Sequence, residues 1–460
     1  MKKFILILLV AIISGCTADT EPFVDTKDDE EVAEDDGSEN EVDNPDVDNN
    51  DGGEESGESE NESDIYAGDI VTYVSEKTQD GYVLVNDASN NRVYLMDKTD
   101  AKILYEWDLP SGIGNDAELL DNGNLLVALT DSDPAYTFGG YGGRMAMVAP
   151  SGDLLWDYEY SDELNLAHHD LEILPNGNVL VLAWEKKEGN ELNENGYYGE
   201  DDVIYIEKVF EIDRRTNQIV WEWSSWDHLV QDVNSDSKNF GVVKENTDKI
   251  NINYMDQYKE GSYNGDIMHA NALEYDKEND LIYISVNFFS EVWVIDHSTT
   301  TAQAKTGAGG NFNKGGDILF RFGNPEAYND FSNPRLFFHN HNPTLVPGTN
   351  RILVYSNGLP VVDPHSTVYE LILPEINELG TKANFNPEIY WSFADPDLFS
   401  AKVSGAHRLP NGNTLITEGT YGYWEVTPQK EVVWKFEGDG FFWRGYHYDL
   451  NSFATDNLNL

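Results

Sequence analysis

The chain has 460 residues, with 84 Asp and Glu against 29 Lys and Arg, which gives a formal net charge of −55 at pH 7. A chain this acidic is repelled by phosphate backbones and by anionic lipid, which argues against both as partners. The single cysteine leaves no intrachain disulfide, so the stability of the fold has to come from a large hydrophobic core.

The first fifteen residues have the pattern of a secretory signal peptide. Two lysines precede an apolar run over residues 4–13, and a Ser-Gly pair stands directly before Cys16. The apolar run is too short to cross a bilayer, and small residues before a cysteine are typical of lipoprotein processing. We predict a signal peptide over residues 1–15 and lipidation of Cys16. Thr17 at the next position favours sorting to an outer membrane, on its periplasmic or outer face.

The segment after the cysteine is strongly acidic. Between Thr17 and Asp64 there are 22 Asp or Glu and one Lys, with Asn, Ser and Gly filling most other positions. Such a segment buries too little apolar surface to offset its ordering entropy, so residues 16–64 are predicted to form a disordered tether. Subtracting its charge of −21 and the +2 of the leader leaves −36 on residues 65–460, so the folded part is acidic in its own right.

Residues 65–460 carry a repeat that predicts their fold. Short β-branched and aromatic runs alternate with Asn-Gly, Pro-Gly and Asp-Gly turns, which is typical of an all-β chain. The repeat ends in a pair of aromatic residues separated by one position: Tyr105 and Trp107, Trp156 and Tyr158, Trp221 and Trp223, Phe320 and Phe322, Trp391 and Phe393, and Trp434 and Phe436. Six such endings indicate six repeats.

Each repeat contains about four strand-like pieces, clearest in HHDLEILPNGNVLVLA (168–183), VFEID (209–213) and NQIVWEW (217–223). Four-stranded units repeating every few tens of residues are typical of propeller blades, which bury their faces only against neighbouring blades. We therefore predict a six-bladed β-propeller of four-stranded antiparallel blades around a central channel. Residues 224–268 lengthen one repeat without strand character, and we predict that they form an insertion that acts as a lid.

Three histidines stand at one position of the repeat. His169, His269 and His341 each lie five residues before the residue taken to enter the first turn of their blade. The first strand of a propeller blade lines the channel, so we expect these imidazoles to meet in one cavity. A lone histidine in a strand is more often a hydrogen-bonded core residue, but three in one register favour a shared site.

Several motifs resemble the bacterial arylsulfotransferase (aryl-sulfate sulfotransferase) family across most of residues 66–450. They are AHHDLEILPNGNVLVLAWE, WDHLVQD, DIMHANALEYD, ISVNFFSEVWVIDHSTTT, GGDILFRFGNPEAY, FFHNHNPTLVPGTNRILVYSNG and SGAHRLPNGNTLITEG. The resemblance implies a six-bladed propeller that moves a sulfuryl group from a phenolic sulfate ester to a phenolic acceptor, without a nucleotide donor and without a metal or organic cofactor. By motif, His341 is the nucleophile that becomes sulfated, and His269 and His169 are its partners.

One position departs from the family pattern. An arginine expected shortly after the second histidine is replaced by Asn287, which lacks the charged, bidentate fork that grips sulfate oxygens. Arg321 is a candidate to compensate, and His168 and His407 are candidate wall residues of the same pocket. Two further arginines, Arg335 and Arg444, are also candidates to replace the missing cation.

Two other functions fit the same residues. Three neutral imidazoles on one cavity also suit Zn²⁺ or Cu²⁺ and would make the protein a metal-dependent hydrolase or lyase. Alternatively, the chain is a surface-displayed, non-catalytic propeller that binds phenolic or sulfated ligands. No feature of the sequence indicates an oligomer.

Overall fold

The computed structural model describes residues 64–258, 264–381, 384–458 and 460. The predicted signal peptide, Cys16 and all but the last residue of the predicted tether lie outside the described residues. Residues 63–460 form one compact unit. Within the described part of the chain, no helix is long and apolar enough to cross a membrane.

The chain forms six antiparallel sheets of four strands each, one of them extended by a fifth strand, arranged as a six-bladed β-propeller. The strands of the first half are β1 (Gly68–Tyr73), β2 (Tyr82–Asp87), β3 (Arg92–Asp97), β4 (Ile103–Glu106), β5 (Ile113–Leu119), β6 (Leu125–Thr130), β7 (Gly143–Val148), β8 (Leu154–Glu159), β9 (Asn165–Ile173), β10 (Val179–Glu188), β11 (Val203–Asp213) and β12 (Gln218–Ser224). Blade 2 is β5–β8 and blade 3 is β9–β12.

The second half contains β13 (Leu229–Val230), β14 (Ile250–Asn251), β15 (Ala270–Asp276), β16 (Leu281–Val286), β17 (Glu291–Asp296), β18 (Phe320–Phe322), β19 (Asn340–Val346), β20 (Arg351–Ser356), β21 (Thr367–Ile372), β22 (Glu388–Ala394), β23 (Gly405–Arg408), β24 (Thr414–Glu418), β25 (Gly422–Val426), β26 (Val432–Gly438) and β27 (Phe442–Tyr448). Blades 4, 5 and 6 are β15–β18, β19–β22 and β23–β26. The helices are short: α1 (Asn190–Glu194), α2 (Thr301–Ala304) and α3 (Phe453–Asp456), with 3₁₀ turns at Ser225–His228, Val243–Glu245, Asn287–Phe289, Pro325–Tyr328 and Ile376–Glu378.

Both ends of the described chain close the ring. The last strand, β27, pairs with β2 and becomes the innermost strand of blade 1, while β1 pairs with β26 as a fifth, outermost strand of blade 6. The six innermost strands, β27, β5, β9, β15, β19 and β23, contact one another in turn around the channel. Closure removes open sheet edges between the first and last blades, and it places residues from opposite ends of the chain in the channel wall.

The aromatic endings predicted from sequence mark the fourth strand of every blade. Trp223 in β12 and Trp434 in β26 are fully buried, because the fourth strand of each of these blades packs against the next blade. The apolar residues of the inner strands fill the spaces between the blades in several clusters. The six-bladed prediction is confirmed.

Between β12 and β15, the residues that the structure describes form no blade. This segment holds two 3₁₀ turns and the parallel two-residue pair β13–β14, and it packs Ile250, Ile252 and Ile267 into the core between blades 3 and 4. Its last residues lead directly to His269. The lid function predicted for residues 224–268 stays a prediction.

Candidate active site

Three histidines predicted from the sequence converge in the channel. The ring centroids of His169 and His269 are 4.8 Å apart, with the rings perpendicular. Trp443, on β27, connects them to the third: its ring centroid is 5.3 Å from that of His169 and 6.2 Å from that of His341. Only 2 % of His169 and 6 % of His341 is exposed, so the cluster is shielded from bulk water.

The equal register predicted for these histidines is wrong in detail. Counted back from the last paired residue before the first hairpin, His169 stands four residues away, His269 seven and His341 five. His269 stands just before the first paired residue of its strand, Ala270, whereas His169 and His341 lie within theirs. His169 and His269 also have positive φ angles of 56° and 51°, an uncommon conformation for residues other than glycine that is often found at functional sites.

His341 is held in one tautomer by an asparagine. Its Nδ1 lies 2.6 Å from Oδ1 of Asn357, whose Nδ2 donates to the backbone carbonyls of Ser400 and Val403 at 2.8 and 3.0 Å. Because the amide nitrogen is used by these two carbonyls, Oδ1 faces the imidazole, and this oxygen can only accept. Nδ1 therefore carries the proton, and Nε2 keeps a free lone pair.

His341 is also neutral at physiological pH. Burial lowers the pKa of His341 to about 3, with the Asn357 hydrogen bond opposing the shift and the neighbouring His269 adding to it. A neutral imidazole with an unprotonated Nε2 is a nucleophile that needs no separate base to activate it.

His269 forms a pair with a buried carboxylate from the preceding loop. Its Nδ1 lies 2.5 Å from Oδ2 of Asp266, and its backbone N–H donates to Oδ1 of the same residue at 3.1 Å. The ring stacks on Phe288 with centroids 4.7 Å apart, and 17 % of the side chain is exposed. His269 is thus hydrogen-bonded to a carboxylate on one side and partly open to solvent.

His168 contacts the cluster through His169. Its Nδ1 is 2.7 Å from Nδ1 of His169, its Nε2 is 3.1 Å from Oε2 of Glu207, and its ring stacks on Trp184 with centroids 3.8 Å apart. Burial, followed by the neighbouring His269, lowers the pKa of both His168 and His169 well below the usual range. His168, predicted as a substrate-binding residue, thus contacts the site through His169.

A permanent cation lies beside the cluster. Arg444, on β27, makes two 3.0 Å hydrogen bonds to the carboxylate of Asp170 on β9, and its charge contributes to lowering the pKa of His169, His341 and His407. The bidentate pair joins blades 1 and 3 across the channel wall. The guanidinium of Arg444 is already bound by this carboxylate, and Asp116 Oδ2 lies 3.5 Å from its Nη1.

The other predicted wall residues are placed differently. Arg321 lies on the outermost strand of blade 4, where Glu291 and the carbonyl of Lys249 take up its guanidinium, so it does not reach the histidines. Arg335 is likewise bound by Asp256. The predicted role of Arg321 in substrate binding is not supported by this position, because a fully buried ion pair leaves it no free donor toward the channel.

Asn287 and His407 do belong to the channel region. The Asn287 backbone N–H donates to the carbonyl of His269 at 3.1 Å, and its Oδ1 accepts from Nδ1 of His339 at 3.1 Å. His407 stands on β23 with its ring 4.9 Å from that of Tyr446, and burial together with Arg444 lowers its pKa to about 3. Asn287 is thus next to His269, with its amide oxygen already bound.

An aromatic wall surrounds the histidines. Phe138, from the connection between β6 and β7, packs edge-on against Trp184 at 5.1 Å, and Gly140 of the same connection lies on the face of the His169 ring. Trp184 and Trp443 each bury an indole N–H that has no hydrogen-bond partner. Unpaired buried donors are costly, so two of them at one site point to a ligand that accepts hydrogen bonds.

Sequence reasoning did not find Asp266, Glu207, Asn357 or Trp443. Asp266 follows a Gly only three residues before a candidate histidine, so its spacing carried a usable signal. Glu207 stands on the third strand of blade 3 and Asn357 directly follows the second strand of blade 5, in segments that read as ordinary blade sequence, and only the folded contacts reveal them. Among the described residues, no group of three or more His, Cys, Asp or Glu is arranged to hold a metal ion.

A β-propeller whose channel holds a neutral, tautomer-fixed histidine beside two further imidazoles defines a candidate group-transfer enzyme. The family model described as arylsulfotransferase (ASST) matches residues 68–439. The chain belongs to this family. The resemblance read from the motifs is thereby confirmed.

Comparison with solved structures adds fold-level likeness alone. A Bacteroides caccae protein described as of unknown function is 13 % identical, with 80 % of this chain and 98 % of that chain covered and a TM-score of 0.43. A Desulfotomaculum acetoxidans protein described as functionally unknown is 10 % identical over 80 % and 99 % of the two chains, with a TM-score of 0.40. Hydrazine synthase of Kuenenia stuttgartiensis is 12 % identical over 64 % and 68 %, with a TM-score of 0.36. No curated protein sequence matches the chain significantly.

Proposed function

We propose that the protein transfers a sulfuryl group from a phenolic sulfate ester to a phenolic acceptor, with His341 as the nucleophile. The observation that carries this proposal is the hydrogen bond between His341 Nδ1 and Asn357 Oδ1, because it leaves Nε2 unprotonated in a neutral ring. Family membership supports the reaction class.

The reaction runs in two balanced steps. In the first, His341 Nε2 attacks the sulfur of the donor, the N–S bond forms, the S–O bond to the aryl group breaks, and the phenolate leaves and takes a proton. The ring of His341 becomes cationic, so its Nδ1–H bond to Asn357 becomes charge-assisted and stronger. In the second step the acceptor phenol loses its proton and attacks the same sulfur, which frees His341. Splitting the transfer in this way predicts ping-pong kinetics.

The remaining residues have roles that follow from their positions. His269, paired with Asp266, and His169 are the groups that hold or accept the phenolic proton. The unpaired indole N–H groups of Trp443 and Trp184 are donors for sulfuryl oxygens, and Arg444 adds positive potential. The aromatic wall suits the aryl group of both substrates.

The turnover experiment compares wild-type protein with His341→Gln and with His365→Gln, a matched substitution of a half-buried histidine between β20 and β21. Each is incubated with 4-nitrophenyl sulfate and an acceptor phenol, and the released nitrophenol and the sulfated acceptor are both measured. The proposal predicts product with wild type and His365→Gln, and none above background with His341→Gln. Binding of the aryl sulfate without any turnover by wild-type protein would instead select the non-catalytic binding function.

We also propose that the protein is exported and held at a membrane by a lipid on Cys16, with residues 16–64 as a flexible spacer. The proposal rests on the sequence pattern before Cys16 and on the charge of the segment after it. Cells that express wild type or Cys16→Ala should differ in detergent-phase partitioning, with only wild type in the detergent phase. Equal partitioning of the two would contradict lipidation.

A further inference from the structure

A continuous line of hydrogen bonds leads away from the histidine cluster into the protein. It runs from His169 Nδ1 to His168 Nδ1 at 2.7 Å, and from His168 Nε2 to Glu207 Oε2 at 3.1 Å. The other carboxyl oxygen of Glu207 accepts the backbone N–H of Ala270 at 2.7 Å. Ala270 directly follows His269, so the far end of the line is attached to the backbone of the site itself.

Two tautomeric states of this line keep all of its hydrogen bonds. If Glu207 carries the proton, Oε2–H donates to His168 Nε2, His168 Nδ1–H donates to His169 Nδ1, and His169 Nε2 is protonated. If Glu207 is ionised, each of the hydrogen bonds is reversed, and His169 Nε2 is left with a lone pair. Both Nδ1 atoms cannot carry a proton at a 2.7 Å separation without clashing, so the two imidazoles change tautomer together.

The surroundings of the line isolate it from water. The side chains of His168 and Glu207 are both fully buried, and Trp184 covers one face of His168. Burial, with Asp266 adding to it, raises the pKa of the Glu207 carboxyl well above its usual range, which favours the protonated state. Burial keeps both imidazoles neutral, which a tautomeric shift requires.

We propose that Glu207 stores the proton of the transfer reaction and exchanges it with the substrate through His168 and His169. This inference rests on the proposed function. As the donor S–O bond breaks, the proton of Glu207 moves to His168 Nε2, that of His168 Nδ1 moves to His169 Nδ1, and that of His169 Nε2 moves to the departing phenolate. The products are a phenol and a Glu207 carboxylate.

The second half-reaction restores the starting state. The acceptor phenol gives its proton to His169 Nε2, the two imidazoles shift back, and Glu207 is protonated again. No proton is exchanged with solvent in a complete cycle, which suits a buried site. Of the three residues in the line, only His169 touches the substrate. Glu207 and His168 are therefore positioning residues.

The experiment distinguishes failure of this proton relay, from Glu207 through His168 to His169, from failure of the proposed function. Sulfation of His341 is followed by rapid quenching and mass spectrometry, with 4-nitrophenyl sulfate, whose phenolate leaves without help, and with 4-methylphenyl sulfate, whose phenolate needs a proton. The variants are Glu207→Gln, nearly equal in size and still able to donate to His168, and Glu172→Gln, which changes a partly buried carboxylate on β9 outside the line. Absence of sulfation of wild type by 4-nitrophenyl sulfate would contradict the proposed function itself.

The relay predicts a selective defect. Glu207→Gln should sulfate His341 from 4-nitrophenyl sulfate within about threefold of the wild-type rate, but should be roughly 100-fold slower with 4-methylphenyl sulfate, since general acid catalysis contributes this much. Glu172→Gln should match wild type with both donors. Equal slowing of Glu207→Gln with both donors, or no slowing with either, overturns the relay.

A second measurement on unmodified protein covers the case in which Glu207→Gln does not fold. The sulfation rate with 4-methylphenyl sulfate is measured in mixtures of light and heavy water. If three protons move together, the sulfation rate should fall nonlinearly as the deuterium fraction of the solvent rises. A linear decline, which indicates one proton in motion, overturns the relay.

Discussion

Asn357 holds His341 in the tautomer that a nucleophile needs, with Nδ1 of the histidine 2.6 Å from Oδ1 of the asparagine. His341 stands on β19, and Asn357 directly follows the adjacent strand β20 of the same blade. Two carbonyls from the segment before β23 orient the amide of Asn357. The inner end of blade 5 therefore prepares the nucleophile before any substrate arrives.

The pH dependence of sulfation tests this arrangement. Because the pKa of His341 is about 3, wild-type protein should show no loss of His341 sulfation from protonation of this residue between pH 5 and 7. Asn357→Asp places a carboxylate at Nδ1, which favours the imidazolium and moves its pKa upward. The variant should lose rate as the pH falls below about 7. An identical profile for both proteins would contradict the role given to Asn357.

The unpaired indole of Trp443 is expected to bind sulfuryl oxygen. Trp443→Phe keeps an aromatic ring but removes the N–H, and kcat/KM for an aryl sulfate should fall about tenfold, the value of one neutral hydrogen bond. Trp107→Phe is the control, because Trp107 also buries an unpaired N–H but lies after β4, at the outer edge of blade 1. Equal effects of the two substitutions would show that the indole of Trp443 has no special role.

Gly140 is expected to be required for the position of His169. An ideal Cβ at Gly140 would lie 2.1 Å from Nε2 and 2.3 Å from Cε1 of that ring, and the φ angle of 83° disfavours other residues. Gly152 has a φ of 84° with no atom within 4 Å of the same added Cβ. Both Gly140→Ala and Gly152→Ala should lose about 1–2 kcal/mol of unfolding free energy to backbone strain.

Only Gly140→Ala should also lose activity, by roughly tenfold or more, because the ring of His169 has to move. The comparison uses urea unfolding for stability and His341 sulfation for activity. Full activity in Gly140→Ala would show that the position of His169 is not critical.

His297 is expected to make the stability of the folded protein fall as the pH becomes alkaline. Burial alone would lower its pKa, but the carboxylates of Asp280, 2.7 Å from Nδ1, and Glu211, 3.2 Å from Nε2, raise the pKa to about 9. A pKa raised in the folded state stabilises fully below the unfolded value near 6.5, and this contribution is lost as the pH rises through about 9. The free energy of unfolding, measured in urea, should therefore fall by about 3 kcal/mol between pH 6 and 10. His297→Gln should remove most of this pH dependence. The same pH dependence in the variant and in wild-type protein would contradict the role given to His297.

The fold was predictable because each blade repeats the same local pattern. The aromatic endings of the fourth strands and the polar hairpins are properties of neighbouring residues, and these predicted the six blades correctly. The closing strands were not predictable in this way: β27 completes blade 1 by pairing with β2, more than 350 residues earlier in the chain, and no local pattern encodes such a partner.

The site was predictable only in part. The equal-register argument predicted that His169, His269 and His341 meet, and the structure brings their rings together, although they stand at different distances from the first hairpin of their blades. Arg321 shows the opposite case, since an arginine in a motif that resembles the family pairs with buried Glu291. The hydrogen bonds that set tautomers, from Asn357 and Glu207, connect different strands and become visible only in the folded chain.

The most direct test of the account is to find the sulfated residue. Wild-type protein is exposed briefly to 4-nitrophenyl sulfate without an acceptor, quenched at alkaline pH, digested and analysed by mass spectrometry, and then the same sample is given a phenol before quenching. The account predicts one sulfuryl group on His341 that disappears when the phenol is added and reappears on the phenol. A stable protein without any adduct, or an adduct on a residue other than His341, would contradict it.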